Sequence, residues 1–373
     1  MGSGASVIAA VLAPEEGEPH LEREVFSTVQ PEAIAEAVGD FCRLHLGASV
    51  NRYEFFATSV GSVHGVLLED GRRVVVKVDR ASADRDHMLA VQRVQTHLSA
   101  ANFPTPRPLL GPTPLAHGVA VVESLLDDGS WANPHDPTVR GEMAATLAEL
   151  IALCRPLASL EGLRSMRDGA RRLWAQPHDR RFDFSGTSQG AEWIDRLCHA
   201  SNEQLDELDR GPAVVGHCDY RAEHLRFTDG RVCAVYDWDS LGVGPEPTVV
   251  GQAAHAFTAD WSRGGWRLPT LAESLAFISD YEAARGAPFT AAERQAASAA
   301  MIAALSYSAR CEHSDRQTEF GTRPPAPAAP TLPPGGYLAR LATDGPQLLG
   351  VREQTPPVES IPPRPRGPQA GRV

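Results

Sequence analysis

Three short β-branched runs crowd between Tyr53 and Val78: Tyr53 to Thr58, Val63 to Leu68 and Arg73 to Val78. Glu69-Asp70-Gly71 separates the last two, and Asp-Gly is a tight-turn signal for a hairpin. Gaps this short leave no room for a crossover helix, so the runs predict an antiparallel sheet. Residues 82 to 100 then read as a helix, closed by Asn102 and by Pro104, Pro106 and Pro108, and Val119 to Leu125 supplies a further strand-like run. Upstream, Gln30-Pro31-Glu32 opens a helix with Ile34, Val38, Phe41 and Leu44 at helical spacing. From about residue 136 to 316 the pattern is mainly helical, interrupted by Ala213 to Gly216 and Arg231 to Tyr236. The expected class is α+β in two lobes: a small antiparallel-sheet N-lobe and a larger, mainly helical C-lobe.

Four zones follow: 1–48, a leader and a helix; 49–125, the N-lobe; 126–320, the C-lobe; 321–373, a proline-rich tail. The tail composition favours extended chain, with Tyr337 to Leu341 as one helical turn docked on the body. The start, Met1 to Ser6, matches a lipidation pattern but is read as a plain flexible leader. No apolar run reaches the roughly 18 residues of a membrane span. Val7 to Ala13 is no signal peptide, because no Lys or Arg precedes it and acidic residues follow at once. The six cysteines show no CxxC pair, which fits a reduced, cytoplasmic setting. A formal net charge of −12 argues against a nucleic-acid partner, since phosphate backbones demand clustered Lys and Arg.

The chemistry concentrates in His217-Cys218-Asp219-Tyr220-Arg221-Ala222-Glu223-His224 and in Tyr236-Asp237-Trp238-Asp239. Each follows a short β-branched run, and the turn Thr228-Asp229-Gly230-Arg231 is read as joining the two as a hairpin-like pair. Phosphoryl transfer asks for an acceptor hydroxyl aimed at the γ-phosphate and a divalent cation on the phosphate oxygens. Two carboxylates with different tasks meet that need: one accepts the hydroxyl proton, the other holds the metal. A lone H-x-D or strand-end Asp is more often a cap or turn residue; two such motifs in this order, each after a β-run, are not. Val74-Val75-Val76-Lys77-Val78 adds an apolar strand with one lysine, whose burial without an anion would be expensive. The bland alternative is a lysine snorkelling from an edge strand.

His217-Cys218-Asp219 followed by Asp237-Trp238-Asp239 resembles the catalytic-loop and metal-loop pair of aminoglycoside phosphotransferases and their choline-kinase-like relatives, which share the protein-kinase fold. The resemblance implies an ATP-dependent O-phosphotransferase acting on a hydroxyl of a small molecule, with ATP or GTP as donor and Mg²⁺, or Mn²⁺, as cofactor. It makes Asp219 the base, His217 the anchor of its loop, Asp237 the metal carboxylate, and Asp239 a second acidic group at the metal. It gives Lys77 to the α- and β-phosphates. Gly61 and Ser62, between the first two strands, fall where a loop would cover the phosphates, and Glu123 to Leu125 where backbone would meet adenine.

Three departures qualify the pattern. The family's metal-binding Asn is His224 here, and imidazole is a poor partner for Mg²⁺. It either touches the ion through water, favours Mn²⁺, leaves Asp239 to complete the coordination, or marks a nucleotide-binding pseudokinase without transfer. Residues 81 to 101 hold no Glu to pair with Lys77, and Asp86 is the nearest substitute. The family's G-D-P-x-x-D-L stretch reads Gly244-Pro245-Glu246-Pro247 here, with Glu246 in part of that polar role. The acceptor site is expected from Arg221, Glu223, Asp260, Trp261, Trp266, Tyr281 and Glu282. Carboxylates among these suit an aminoglycoside's ammonium groups, while the tryptophans suit a flatter, nucleoside-type or other hydroxylated antibiotic or metabolite.

Overall fold

A computed structural model describes residues 4–12, 20–58, 60–166, 173–174, 177–179, 182–208, 211–317 and 336–350. Strands β1 (Val50–Thr58), β2 (Ser62–Leu68), β3 (Arg73–Arg80), β4 (Pro108–Leu115) and β5 (Gly118–Ser124) form one antiparallel sheet in the order β1-β2-β3-β5-β4. β4 was not expected, because its prolines read as breakers. It lies at the sheet edge, where one side of the strand needs no ladder hydrogen bonds and proline is admitted.

Alternation along β3 separates two faces. Val74, Val76 and Val78 are fully buried against helices α1 (Gly4–Leu12), α2 (His20–Phe26) and α3 (Pro31–Leu46), through Ile8, Val25, Ile34, Val38 and Phe41. The segment expected as a flexible leader is therefore helical from Gly4 and shares the sheet's core. Leu44 is 76% exposed and takes no part; Cys42 is buried in its place. Val75 and Lys77 face the opposite way, toward the second lobe. Helix α4 (Arg85–Ala100) flanks that side, its start capped by the Asp84 carboxylate accepting from the His87 N–H at 3.0 Å.

The second lobe carries α5 (Pro137–Cys154), α6 (Glu192–Glu207), α7 (Glu246–Ala256), α8 (Leu271–Arg285), α9 (Ala291–Gln317) and α10 (Gly336–Leu349). α10 exceeds the single turn expected there, and it buries Tyr337, Leu341 and Leu349 against α9 and α6. Two small sheets are inserted: β6 (Arg164–Ser165), β10 (Leu241–Pro245) and β7 (Ala213–His217) in the order β6-β10-β7, and the hairpin of β8 (Leu225–Thr228) with β9 (Arg231–Val235). The expected pairing of the 213–216 and 231–236 runs is thus corrected. β9 pairs with β8, a four-residue strand too short to read, while β7 pairs with β10. All six cysteines are free, and no helix among the described residues is long and apolar enough to cross a membrane.

Candidate active site

β7 delivers His217 at its end, 1% exposed, and the chain turns through residues 218–224 before β8 begins. A carbonyl only accepts, so His217 Nε2 carries the proton that it donates to the Tyr236 carbonyl at 2.8 Å. Nδ1 is left to accept from the Asp219 N–H at 3.3 Å. One imidazole thereby ties the 219 loop to the residue before Asp237. The loop is held further by Gln252 Nε2 donating to the Cys218 carbonyl at 2.7 Å and by the Ala222 N–H donating to the Phe257 carbonyl at 2.8 Å. Burial pushes the Cys218 thiol up to about 12, which makes it a packed neutral group.

Asp237 adopts left-handed backbone (φ 64°, ψ 47°), which Asp tolerates better than most side chains. Trp238 behind it is buried and donates from Nε1 to the Val235 carbonyl at 2.7 Å. Oxygen atoms of Asp219 and Asp237 and a ring nitrogen of His224 all lie within 4.8 Å of one another. His224 Nδ1 must carry a proton, because it donates to the Asp219 carbonyl at 2.9 Å. Any metal contact from this ring then falls to Nε2. Burial first, then the Arg221 charge, lowers the His224 pKa to about 4 and keeps the ring neutral. Burial alone would raise the Asp219 carboxyl, but the charge of Arg221 bonded to it opposes this, and the pKa stays below the usual value. Arg221 Nη1 bonds Asp219 Oδ1 directly, and its Nε donates to Glu223 Oε2 at 3.0 Å.

Lys77 Nζ pairs with Glu123 Oε1 at 2.8 Å, and Gln95 Nε2 on α4 donates to Glu123 Oε2 at 3.1 Å. This corrects the expected partner Asp86. The cation is met from the neighbouring strand β5, whose Glu123 lies two residues from Lys77's cross-strand partner Val121 and hence on the same face. Burial works against the Lys77 ammonium, but Glu123, Asp239 and Asp237 prevail and raise its pKa. Asp79 is pushed to about 6 by burial and by Asp239. Burial and the neighbouring Asp237 carboxylate raise Asp239. Like charges held this way repel, and a divalent cation between hard oxygen atoms relieves that repulsion. The residues therefore fit a Mg²⁺ or Mn²⁺ ion.

Other expectations on the nucleotide side change. Ser62 is fully buried on the core face, its Oγ 3.1 Å from His64 Nε2, because its cross-strand partner is Val78. Val63, opposite Lys77, occupies the cleft face instead. Gly61 lies beside Asp79: a Cβ there would be 3.3 Å from Oδ1. The Leu125 N–H already donates to the Arg73 carbonyl at 3.0 Å, and Glu123 contributes its side chain to Lys77. His87 was missed. Its two ring nitrogens reach the carbonyls of Asp239 (3.1 Å) and Gly162 (3.2 Å), joining α4 to the 237–240 loop. A polar residue on the buried face of an amphipathic helix, shared by His87 and Gln95, was the available signal.

On the acceptor side, the Trp261 N–H approaches Glu223 Oε2 at 3.4 Å, and Trp261 packs edge-on to Trp266 at 4.9 Å. Tyr281 and Glu282 belong elsewhere. The Tyr281 hydroxyl donates to Glu246 Oε1 at 2.7 Å, where Arg155 and Arg285 also converge; Glu282 is clamped by Arg294 at 2.8 and 3.0 Å. Asp260, 2% exposed, accepts from the Ser262 N–H and hydroxyl at 3.1 and 2.5 Å.

No curated protein matches the chain by sequence. Many solved structures share its fold, among them the following three. A thermostable mutant of aminoglycoside phosphotransferase APH(4)-Ia, in ternary complex with ADP and hygromycin B, is 14% identical, with a TM-score of 0.53 over 86% of this chain and 100% of that one. An amicoumacin kinase, hAmiN, in complex with AMP-PNP, Ca²⁺ and its ligand, is 11% identical (TM-score 0.53; 87% and 97% covered). Spectinomycin phosphotransferase APH(9)-Ia with bound AMP is 13% identical (TM-score 0.51; 77% and 91% covered). The profile of the phosphotransferase enzyme family, APH, matches residues 62–289, a stretch that takes in the lysine strand, both acidic loops and α8. On that match the chain belongs to the APH phosphotransferase family, as a small-molecule kinase of protein-kinase-like fold.

Proposed function

We propose that the protein transfers the γ-phosphate of ATP, or of GTP, to a hydroxyl of a small hydroxylated antibiotic or metabolite. The observation that carries this reading is the convergence of Asp219, His224 and Asp237 within 4.8 Å, with Lys77 under the field of Asp237 and Asp239. Asp219 accepts the acceptor's proton on the oxygen that Arg221 leaves free, and Arg221 keeps the other oxygen oriented. A depressed pKa suits this task, since the carboxylate must be ionised and aimed rather than strongly basic. Lys77 moves part of its charge from Glu123 to the donor's phosphates, and His217 fixes the spacing of the two acidic loops. Asp237 and Asp239 are the hard oxygen donors for Mg²⁺ or Mn²⁺, with the His224 ring beside them. When bound, the ion neutralises charge on the phosphate oxygens.

A second reading, a nucleotide-binding pseudokinase, is favoured by one observation: the His224 nitrogen nearest Asp237 is committed to the Asp219 carbonyl and offers no lone pair there. Radiolabelled ATP with either metal and a pool of hydroxylated compounds separates the two. Phosphate on an alcohol supports transfer. Melting stabilised by ATP with no labelled product supports the binder.

A further inference from the structure

The acceptor side of Asp219 is bounded by a segment beyond the family match. Helix α10 starts at Gly336, and the matched residues end at 289. Its seat is built by charge and close packing. Arg340, buried to 8% side-chain exposure, donates to the His255 carbonyl at 2.6 Å and to Ser274 Oγ at 2.8 Å, and pairs with Asp344 at 2.9 Å. The Leu338 N–H donates to Glu312 Oε2 at 3.0 Å. A Cβ on Gly336 would fall 2.2 Å from Glu312 Oε1, so only glycine lets the helix begin this close to that carboxylate.

This seat places the Tyr337 ring 6.3 Å from that of Trp261, which meets the catalytic loop at Glu223. Trp261 thereby links the Tyr337 ring to Glu223, four residues along the loop from the proposed base. The carboxylates around this wall are already engaged: Glu223 by Arg221, Glu312 by Arg316 and Leu338, Asp260 by Ser262. An acceptor with several ammonium groups would have to compete with Arg221 and Arg316 for Glu223 and Glu312. Aromatic faces ask for no such exchange and bury flat or apolar rings well.

We propose that α10 completes the acceptor subsite through Tyr337, and that the Tyr337–Trp261 pair selects a ring-bearing alcohol of low positive charge over a polyamine. The inference rests on the kinase reading of Asp219. It is tested with the full chain, ATP and Mg²⁺ or Mn²⁺, and three probes: adenosine as a planar alcohol, erythromycin as an apolar ring with one amine, and kanamycin as a polyamine. An acceptor found by mass spectrometry in a pooled extract is judged by the same measures.

Transfer to a low-charge probe is expected. The acceptor KM should rise about tenfold in Tyr337→Ala and in Trp261→Ala, while the ATP dissociation constant holds. Tyr337→Phe should raise it far less, because the ring makes the contact. Should Tyr337→Ala lose its ATP-dependent melting shift, Trp261→Ala and Tyr337→Phe carry the test. Preference for kanamycin, or a KM indifferent to these substitutions, overturns the proposal and leaves the phosphotransferase reading standing. ATP bound with no alcohol phosphorylated overturns both.

Discussion

Removing the Lys77 charge should destabilise the protein more than removing its partner's, and removing both should cost less than the sum. The Lys77–Glu123 pair is held at 2.8 Å with side chains 21% and 10% exposed. In Lys77→Met, Glu123 keeps only Gln95, and Asp79, Asp237 and Asp239 lose their shared cation. Breaking a buried pair from one side costs about 3–5 kcal/mol, and partial exposure of the lysine places this case near the lower bound, about 3. Glu123→Gln is milder. Lys77 retains Asp239 and Asp237, and the new amide oxygen still accepts from Gln95, so about 1 kcal/mol is expected. With both replaced, no carboxylate at 123 is stranded, and the double variant should sit about 2 kcal/mol above the sum of the singles. Urea unfolding in EDTA-containing buffer measures the three differences. ATP-dependent melting measures a separate quantity, the grip on phosphate, which should vanish in both lysine variants whatever their stability. Additive costs, or an unchanged midpoint for Lys77→Met, would refute the pairing as the organising contact of the cleft.

Three further outcomes follow from the same geometry. Asp219→Asn should reduce transfer by about 10²–10⁴ while ATP still shifts the melting temperature; a variant retaining full turnover removes Asp219 as base. His224→Asn keeps a donor for the Asp219 carbonyl and adds an amide oxygen near Asp237, so turnover in Mg²⁺ should rise relative to Mn²⁺; an unchanged ratio shows that the ring never tuned the metal. Burial lowers the His64 pKa to about 3, so the folded state holds fewer protons there than the unfolded chain. The stability it contributes is complete above about pH 6.5 and is lost as pH falls toward 3. Between pH 7 and 5 that loss is about 2 kcal/mol, and His64→Phe should flatten the urea midpoint's pH dependence by that amount. Parallel slopes for the two proteins would show that the ring does not titrate this way.

What the sequence disclosed was local. A period-2 run carrying one lysine, and two acidic loops after β-runs, declare themselves within a few residues, because backbone geometry alone fixes which side chains share a face. The misassigned side chains are those whose partners are brought by distant segments. Glu282 reads as a free carboxylate until α9 delivers Arg294, and Ser62 reads as loop-facing until the β2–β3 register sets it opposite Val78. Glu123 shows no tie to Lys77 until β5 aligns beside β3 and brings its carboxylate to the ammonium.

The same long-range convergence leaves one lysine among Glu123, Asp79, Asp237 and Asp239, an excess of negative charge that a divalent cation would offset. A raised Asp239 pKa means that its ionised form is disfavoured in the free protein, so Asp239→Asn should not destabilise the metal-free protein. The same change should abolish most of the melting shift produced by Mg²⁺ with AMP-PNP, because a hard oxygen donor is gone. A destabilised free protein with an intact metal shift would place the cation elsewhere and detach Asp239 from the site.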